Sequence, residues 1–175
     1  MTHIKKLVTA AMLLAAALLL PFLTGQIPEI GNMLSPMHIP ILLCGFICGG
    51  PYAIAIGLIA PPLRYLLFSM PPIFPTGLAM AFELASYGFF AALFYKLLPK
   101  KPLYLYVSLI LSMLAGRIVW GIAMLIISFS SEVSFSMQAF FAGAFAKAVP
   151  GIILHILLVP LVVLALKRAK LMPHD

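Results

Sequence analysis

Arg64, Glu83, Arg117 and Lys147 are ionisable residues set well inside apolar stretches of a 175-residue chain, and they are where chemistry is to be sought first. A charged side chain at the centre of a bilayer costs about 2.5–3.5 kcal/mol on insertion scales, so each needs a partner, water or a ligand. Helical spacing gives them neighbours. Met80, Glu83 and Tyr87 share one helix face, and Met113, Arg117, Trp120, Gly121 and Met124 another. Gly143 and Lys147 share a third, just above Pro150-Gly151. Aromatic and methionine side chains beside a few convergent charges suit a small-molecule pocket, with area for an apolar body and donors for a polar head. Three cations against one carboxylate leave positive charge over. A ligand carboxylate or phosphate would supply the missing anion, and arginine would bind it bidentately.

A structural reading stands beside this one. Glu83 could pair with Arg117 or Lys147 only to lock helices together. Arg64, nearest a helix end, could snorkel toward the interface. His38 follows Ser35-Pro36 at the start of an apolar segment and suits a helix-end role as well as a ligand role. His155 sits among Leu and Ile, where a packing histidine is expected. Cys44 and Cys48 stand four apart and read as buried packing residues, with no further Cys or His nearby to complete a metal site.

The elements that must position these groups are six apolar segments, at about 5–23, 38–50, 52–69, 76–97, 104–128 and 138–168. The chain is 64% hydrophobic and 9% charged, with mean hydropathy +1.18. That is far below the roughly 25% charge a soluble domain carries, so the bilayer is the solvent. The expectation is an all-α integral membrane protein forming a single domain over residues 1–175. The first segment resembles a signal peptide but lacks a small-x-small cleavage site after it, so a retained helix is expected. Residues 24–37 make a long first loop. Segment 38–50 is short for a crossing. Six crossings place Lys5, Lys6, Lys96, Lys100, Lys101, Lys167, Arg168 and Lys170 on one side, eight of the eleven cations. The opposite loops hold no Lys or Arg, and of charged residues only Glu29 and Glu132, so both termini are expected in the cytoplasm of a cell-membrane protein. At 1.5 Å per residue from the outer helix ends, Arg64 lies roughly 8 Å deep, Glu83 roughly 10 Å, Lys147 roughly 14 Å and Arg117 roughly 16 Å. All four fall in the outer half or at the midplane, which predicts a polar cavity opening outward.

Helices one to three carry Ala11-x-x-x-Ala15, Gly45-x-x-x-Gly49 and Ala53-x-x-x-Gly57, spacing that lets backbones approach closely in lipid. They read as the half built for contact, and helices four to six as the half built for ligand. No G-x-S-x-G, H-E-x-x-H or Walker sequence is present, nor an acidic cluster for a metal. No enzyme is therefore expected, and any ATP dependence belongs to another chain. Cations scattered at helix ends exclude a nucleic-acid stripe.

This layout resembles the substrate-binding (S) component of energy-coupling-factor (ECF) vitamin transporters. The resemblance rests on six helices in a short chain, the long first loop and the Ala11/Ala15 pair. It extends to Met33-Leu-Ser-Pro-Met-His-Ile-Pro-Ile-Leu-Leu-Cys-Gly-Phe-Ile-Cys-Gly-Gly-Pro-Tyr52 and Phe74-Pro-Thr-Gly-Leu-Ala-Met-Ala-Phe-Glu83. It implies capture of a vitamin or related micronutrient from outside, under a cap formed by the first loop and the loop between helices three and four. It also implies docking, through Ala11 and Ala15 and the small-residue face of helices one to three, onto a transmembrane coupling (T) subunit. Two cytoplasmic ATPases would drive uptake, this chain holding no cofactor of its own. The implied substrate shell is Gln26, Asn32, Glu83, Tyr87, Arg117, Trp120 and Lys147. The cationic surplus favours an anionic cargo such as pantothenate. A stand-alone oligomeric carrier or channel is the alternative, and a structural or regulatory membrane subunit the third.

Overall fold

The structure, a computed structural model, describes residues 2–24, 27–130, 136–143, 148–169 and 172, and among these every regular element is helical. Helix α1 (His3–Leu19) begins behind Thr2, whose hydroxyl accepts the Lys5 N–H at 3.5 Å, and runs into a 3-10 turn, Leu20–Thr24. The expected first loop holds a short helix, α2 (Pro28–Leu34), closed by Ser35 at φ 47°. Next comes α3 (His38–Ile47), and Gly49, at a φ of 96° that suits glycine, turns the chain into α4 (Gly50–Phe68). An irregular turn, Ile73–Gly77, with Phe74 extended, leads into α5 (Leu78–Leu97). The remainder is α6 (Pro102–Ser130), α7 (Met137–Phe141) and α8 (Val149–Arg168).

Among the described residues five stretches are long and apolar enough to cross a membrane: His3–Thr24, Gly50–Phe68, Ile73–Leu97, Pro102–Phe129 and Val149–Arg168. The sixth expected crossing falls on α3, which has only 10 residues. Its length of about 15 Å is half of a roughly 30 Å hydrocarbon core. All of its residues are buried, against α1, α4, α5 and α8, so protein rather than lipid surrounds it. Of the segment expected at 138–168, the described residues include α7 and α8, the latter starting at Val149 behind Ala148, while residues 144–147 lie outside the described set.

Small residues account for the tightness of the bundle. A Cβ on Gly45 would stand 2.5 Å from the Gly88 carbonyl oxygen, and one on Gly57 2.6 Å from the Ala85 nitrogen. A Cβ on Gly88 would meet that of Ala53 at 2.5 Å. Gly45, Ala53 and Gly57 are therefore spent inside the subunit, seating α3 and α4 on α5. This corrects the expectation that they offer a face to another chain: backbone contact in an apolar medium needs small residues wherever helices cross closely, between subunits or within one. On α1, Ala10 and Ala17 face inward, whereas Ala11 and Ala15 are exposed.

The ends of the bundle differ. At one, His3 Nδ1 meets the Tyr52 hydroxyl at 3.3 Å. There too the Lys100 and Lys167 ammonium groups lie 4.0 and 5.0 Å from the centre of the Tyr95 ring. The other end carries the 3-10 turn, α2 and residues 70–77.

Candidate functional site

Helix α5 brings Glu83 and Tyr87, one turn apart, to the middle of the bundle, where both are buried. Helix α6 presents Arg117, whose Nη1 lies 2.8 Å from Glu83 Oε1. Gly116 makes room for this: a Cβ there would stand 2.5 Å from Tyr87 Cδ1, so only glycine lets the Tyr87 ring lie on α6. From the start of α3, His38 places its Nε2 3.5 Å from the same carboxylate oxygen and packs edge-on to Tyr87, with ring centres 5.1 Å apart. His155 of α8 stacks on His38 at 5.9 Å. Its Nε2 is 3.2 Å from the Ser35 carbonyl. A carbonyl only accepts, so that nitrogen carries the proton. One carboxylate, one guanidinium, two imidazoles and a phenol thus form a single cluster drawn from α3, α5, α6 and α8.

Above His38, at the end that carries α2, lies a cavity of about 170 Å³. Its walls are Pro21 and Thr24 from the 3-10 turn, Ile27, Gly31 and Ser35 around α2, and Met70, Pro71, Pro72 and Thr76 from the segment before α5. His38 and Met80 line it on the side of the cluster, and Arg64 is its one permanently charged lining residue among the described residues. Arg64 is buried. Its Nη1 donates to the Leu18 carbonyl, and its guanidinium carbon lies 5.3 Å from the ring centres of both Phe22 and Phe68. A second cavity, about 140 Å³ and almost wholly apolar, adjoins Tyr87 and Arg117 and is lined by Ile110, Met113, Leu114, Ile152 and Ile156.

Of the residues singled out from the sequence, Glu83, Tyr87 and Arg117 come together. Trp120, one turn beyond Arg117, stacks with Phe140 of α7 at 6.2 Å and lies close enough to Gly143 that a Cβ there would be 3.0 Å from its ring. Asn32 lies on α2 by its backbone, its side chain outside the described set, and Gln26 and Lys147 are also outside it. Arg64 turns inward between two phenylalanines rather than outward to the interface. His38, which suits a helix end as well as a ligand site, and His155, expected as a packing residue, are both members of the cluster. One feature of the sequence marks His38: it is the one titratable nitrogen base in a segment too short to reach both membrane surfaces. For His155 the sequence holds no such signal, because its contact with Ser35 joins residues 120 apart.

No curated protein and no solved structure matches the chain. The model of the family "ECF transporter, substrate-specific component" matches residues 5–163. An all-helical chain with several membrane-length apolar helices is what such a component requires. The chain therefore belongs to the substrate-specific components of ECF transporters, multi-pass membrane proteins that bind the substrate for an ECF module.

Proposed function

We propose that this chain captures a small anionic vitamin or related micronutrient from outside the cell, for ATP-driven uptake through a transmembrane coupling subunit and two cytoplasmic ATPases. The observation that carries the reading is the cavity at the α2 end, walled by the two segments that follow α1 and α4 and backed by the ionisable cluster. A pocket so placed, mostly apolar with a few polar groups, suits a small solute. The substrate shell proposed is Glu83, Tyr87, Arg117 and Trp120, with Gln26, Asn32 and Lys147 completing it. Ala11 and Ala15, exposed on α1, are the proposed contact with the coupling subunit.

Both termini are proposed to be cytoplasmic, with α3 counted as a sixth, incomplete crossing. Lys5, Lys6, Lys96, Lys100, Lys101, Lys167 and Arg168 gather at the end opposite the cavity, where the positive-inside rule sets the cytoplasm. Cleavable tags at either terminus should be protected in intact cells and cut in inverted vesicles; cutting in intact cells would overturn the orientation. Native mass spectrometry of the purified protein should find a retained small acid. Uptake of that acid in cells should require a co-expressed ECF module. Flux through liposomes containing this chain alone would instead make it a stand-alone carrier.

A further inference from the structure

We infer that the anionic group of the substrate is bound by Arg64, with His38 as its hydrogen-bonding neighbour across the outer cavity, and not by Arg117. The inference rests on the capture reading above and names the chemistry within it: a small carboxylic acid whose apolar body lies against Met80, Pro71 and Ile27.

The argument is one of charge compensation. Arg117 already has an anion, the Glu83 carboxylate at 2.8 Å. That pair closes on itself in the interior, and a second carboxylate would have to displace the first. Arg64 is buried, at 3% exposure, yet has no carboxylate beside it among the described residues. Its partners are one backbone carbonyl and the faces of Phe22 and Phe68. Aromatic faces stabilise a cation only modestly, and a buried guanidinium without an anion keeps most of its desolvation cost. Arginine presents five donors in a planar fork. With one Nη1 hydrogen given to Leu18, donors remain for a carboxylate in the cavity that Arg64 lines.

His38 supplies the second, independent observation. It is 1% exposed, it lines the same cavity, and neither ring nitrogen makes a hydrogen bond among the described residues, Nε2 standing 3.5 Å from Glu83 Oε1. A buried ring nitrogen left unpaired is uncommon and is explained when a ligand completes it. Its Nε2 faces Glu83, so the Glu83–Arg117 pair would act as a positioning device for His38, fixing the ring that meets the substrate. The cavity, at about 170 Å³, is small beside the roughly 300–1,000 Å³ of drug-sized sites, which limits the acid to a compact one.

The test compares acids with their neutral analogues on the full-length chain in lipid nanodiscs, by calorimetry. The probes are pantothenate against pantothenol and nicotinate against nicotinamide. Wild type should bind at least one acid roughly 30-fold or more tightly than its neutral partner, the scale expected when one member of a buried charge pair is removed. Arg64→Gln should abolish that preference. The double variant Glu83→Gln/Arg117→Met, which removes the other interior cation together with its anion, should weaken acid and neutral analogue alike, through the shell and His38, and keep the ratio between them. Should Arg64→Gln fail to fold, Arg64→Lys retains the charge and loses the fork, and should weaken the acid about tenfold while leaving the neutral analogue unaffected. Acid preference unchanged in the folded Arg64 variants would overturn the assignment and leave substrate capture standing, as would its loss in the double variant alone. Wild type that binds neither acids nor analogues, and retains no small molecule on native mass spectrometry, would overturn capture itself.

Discussion

The Glu83–Arg117 pair permits a stability prediction whose size follows from its geometry. At 2.8 Å and an effective dielectric of about 20, the two charges attract by roughly 6 kcal/mol, most of which offsets the cost of taking both out of water. Removing one partner forfeits the attraction while leaving the other charge enclosed, which costs about 3–5 kcal/mol. Glu83→Gln should be the more damaging single change, because it leaves a guanidinium with no acid. In Arg117→Met the carboxylate still has the His38 imidazole 3.5 Å away. Glu83→Gln/Arg117→Met removes both charges and should recover most of the loss. The chain carries its own reporter for the assay, since Cys44 and Cys48 are both buried and react with a maleimide dye only on unfolding. At about 2–4 °C per kcal/mol for a chain of this size, the worse single variant should melt roughly 6–20 °C below wild type. Single variants within about 2 °C of wild type, or a double variant as unstable as Glu83→Gln, would refute the view that the pair compensates itself.

Other perturbations probe separate parts of the fold. Gly57→Ala puts a Cβ 2.6 Å from the Ala85 nitrogen, so α4 and α5 must part; a loss of about 1–3 kcal/mol should appear in the same dye assay, and an unchanged melting point would contradict the close crossing. Ala11→Leu and Ala15→Leu alter an exposed face, so ligand affinity and melting should hold while module-dependent uptake falls; normal uptake in both would remove α1 from the docking surface. Gly151→Ala would bring a Cβ 2.5 Å from the Met33 carbonyl oxygen, pushing α2 off α8. Because α2 walls the cavity, acid binding should weaken about tenfold or more, a loss of roughly 1.4 kcal/mol, and an unchanged affinity would show that α2 does not shape the site.

Much of the fold could be read from residue order, because lipid imposes long apolar helices, and Gly49-Gly50-Pro51 and Pro99-Lys100-Lys101-Pro102 interrupt them. The limits of α4, α5 and α6 lie close to those expected. What could not be read were features decided by neighbours distant in sequence. The enclosure of α3 depends on four surrounding helices, so its ten residues look like a failed crossing until those helices are in place. The small-residue spacing in α3 and α4 is the same pattern whether the close partner is α5 or another protein, and only the contact at Gly88 decides. Likewise Glu83 and Arg117 stood out because charge in an apolar run is conspicuous, with Tyr87 on the Glu83 face, whereas His38 suited a helix end as well as a ligand site and His155 read as a neutral packing residue.

The surplus of cations over acids in the apolar stretches is a property of composition and was visible at once; its location is a property of packing. Counting alone makes Arg117 the natural receptor for a ligand anion, since it sits deepest among aromatics and methionines. The fold reverses that preference by spending on it the Glu83 carboxylate, the one interior carboxylate among the described residues. Arg64, closer to the helix end and therefore easier to dismiss, has no anion beside it among the described residues, and it is held in a cavity wall by a helix-end carbonyl and two phenylalanines. An arginine that only snorkelled would not need to be buried or clamped in this way. The burial spares it competition from water, and the clamp fixes its fork before the acid arrives, which is what selective binding of a small anion requires.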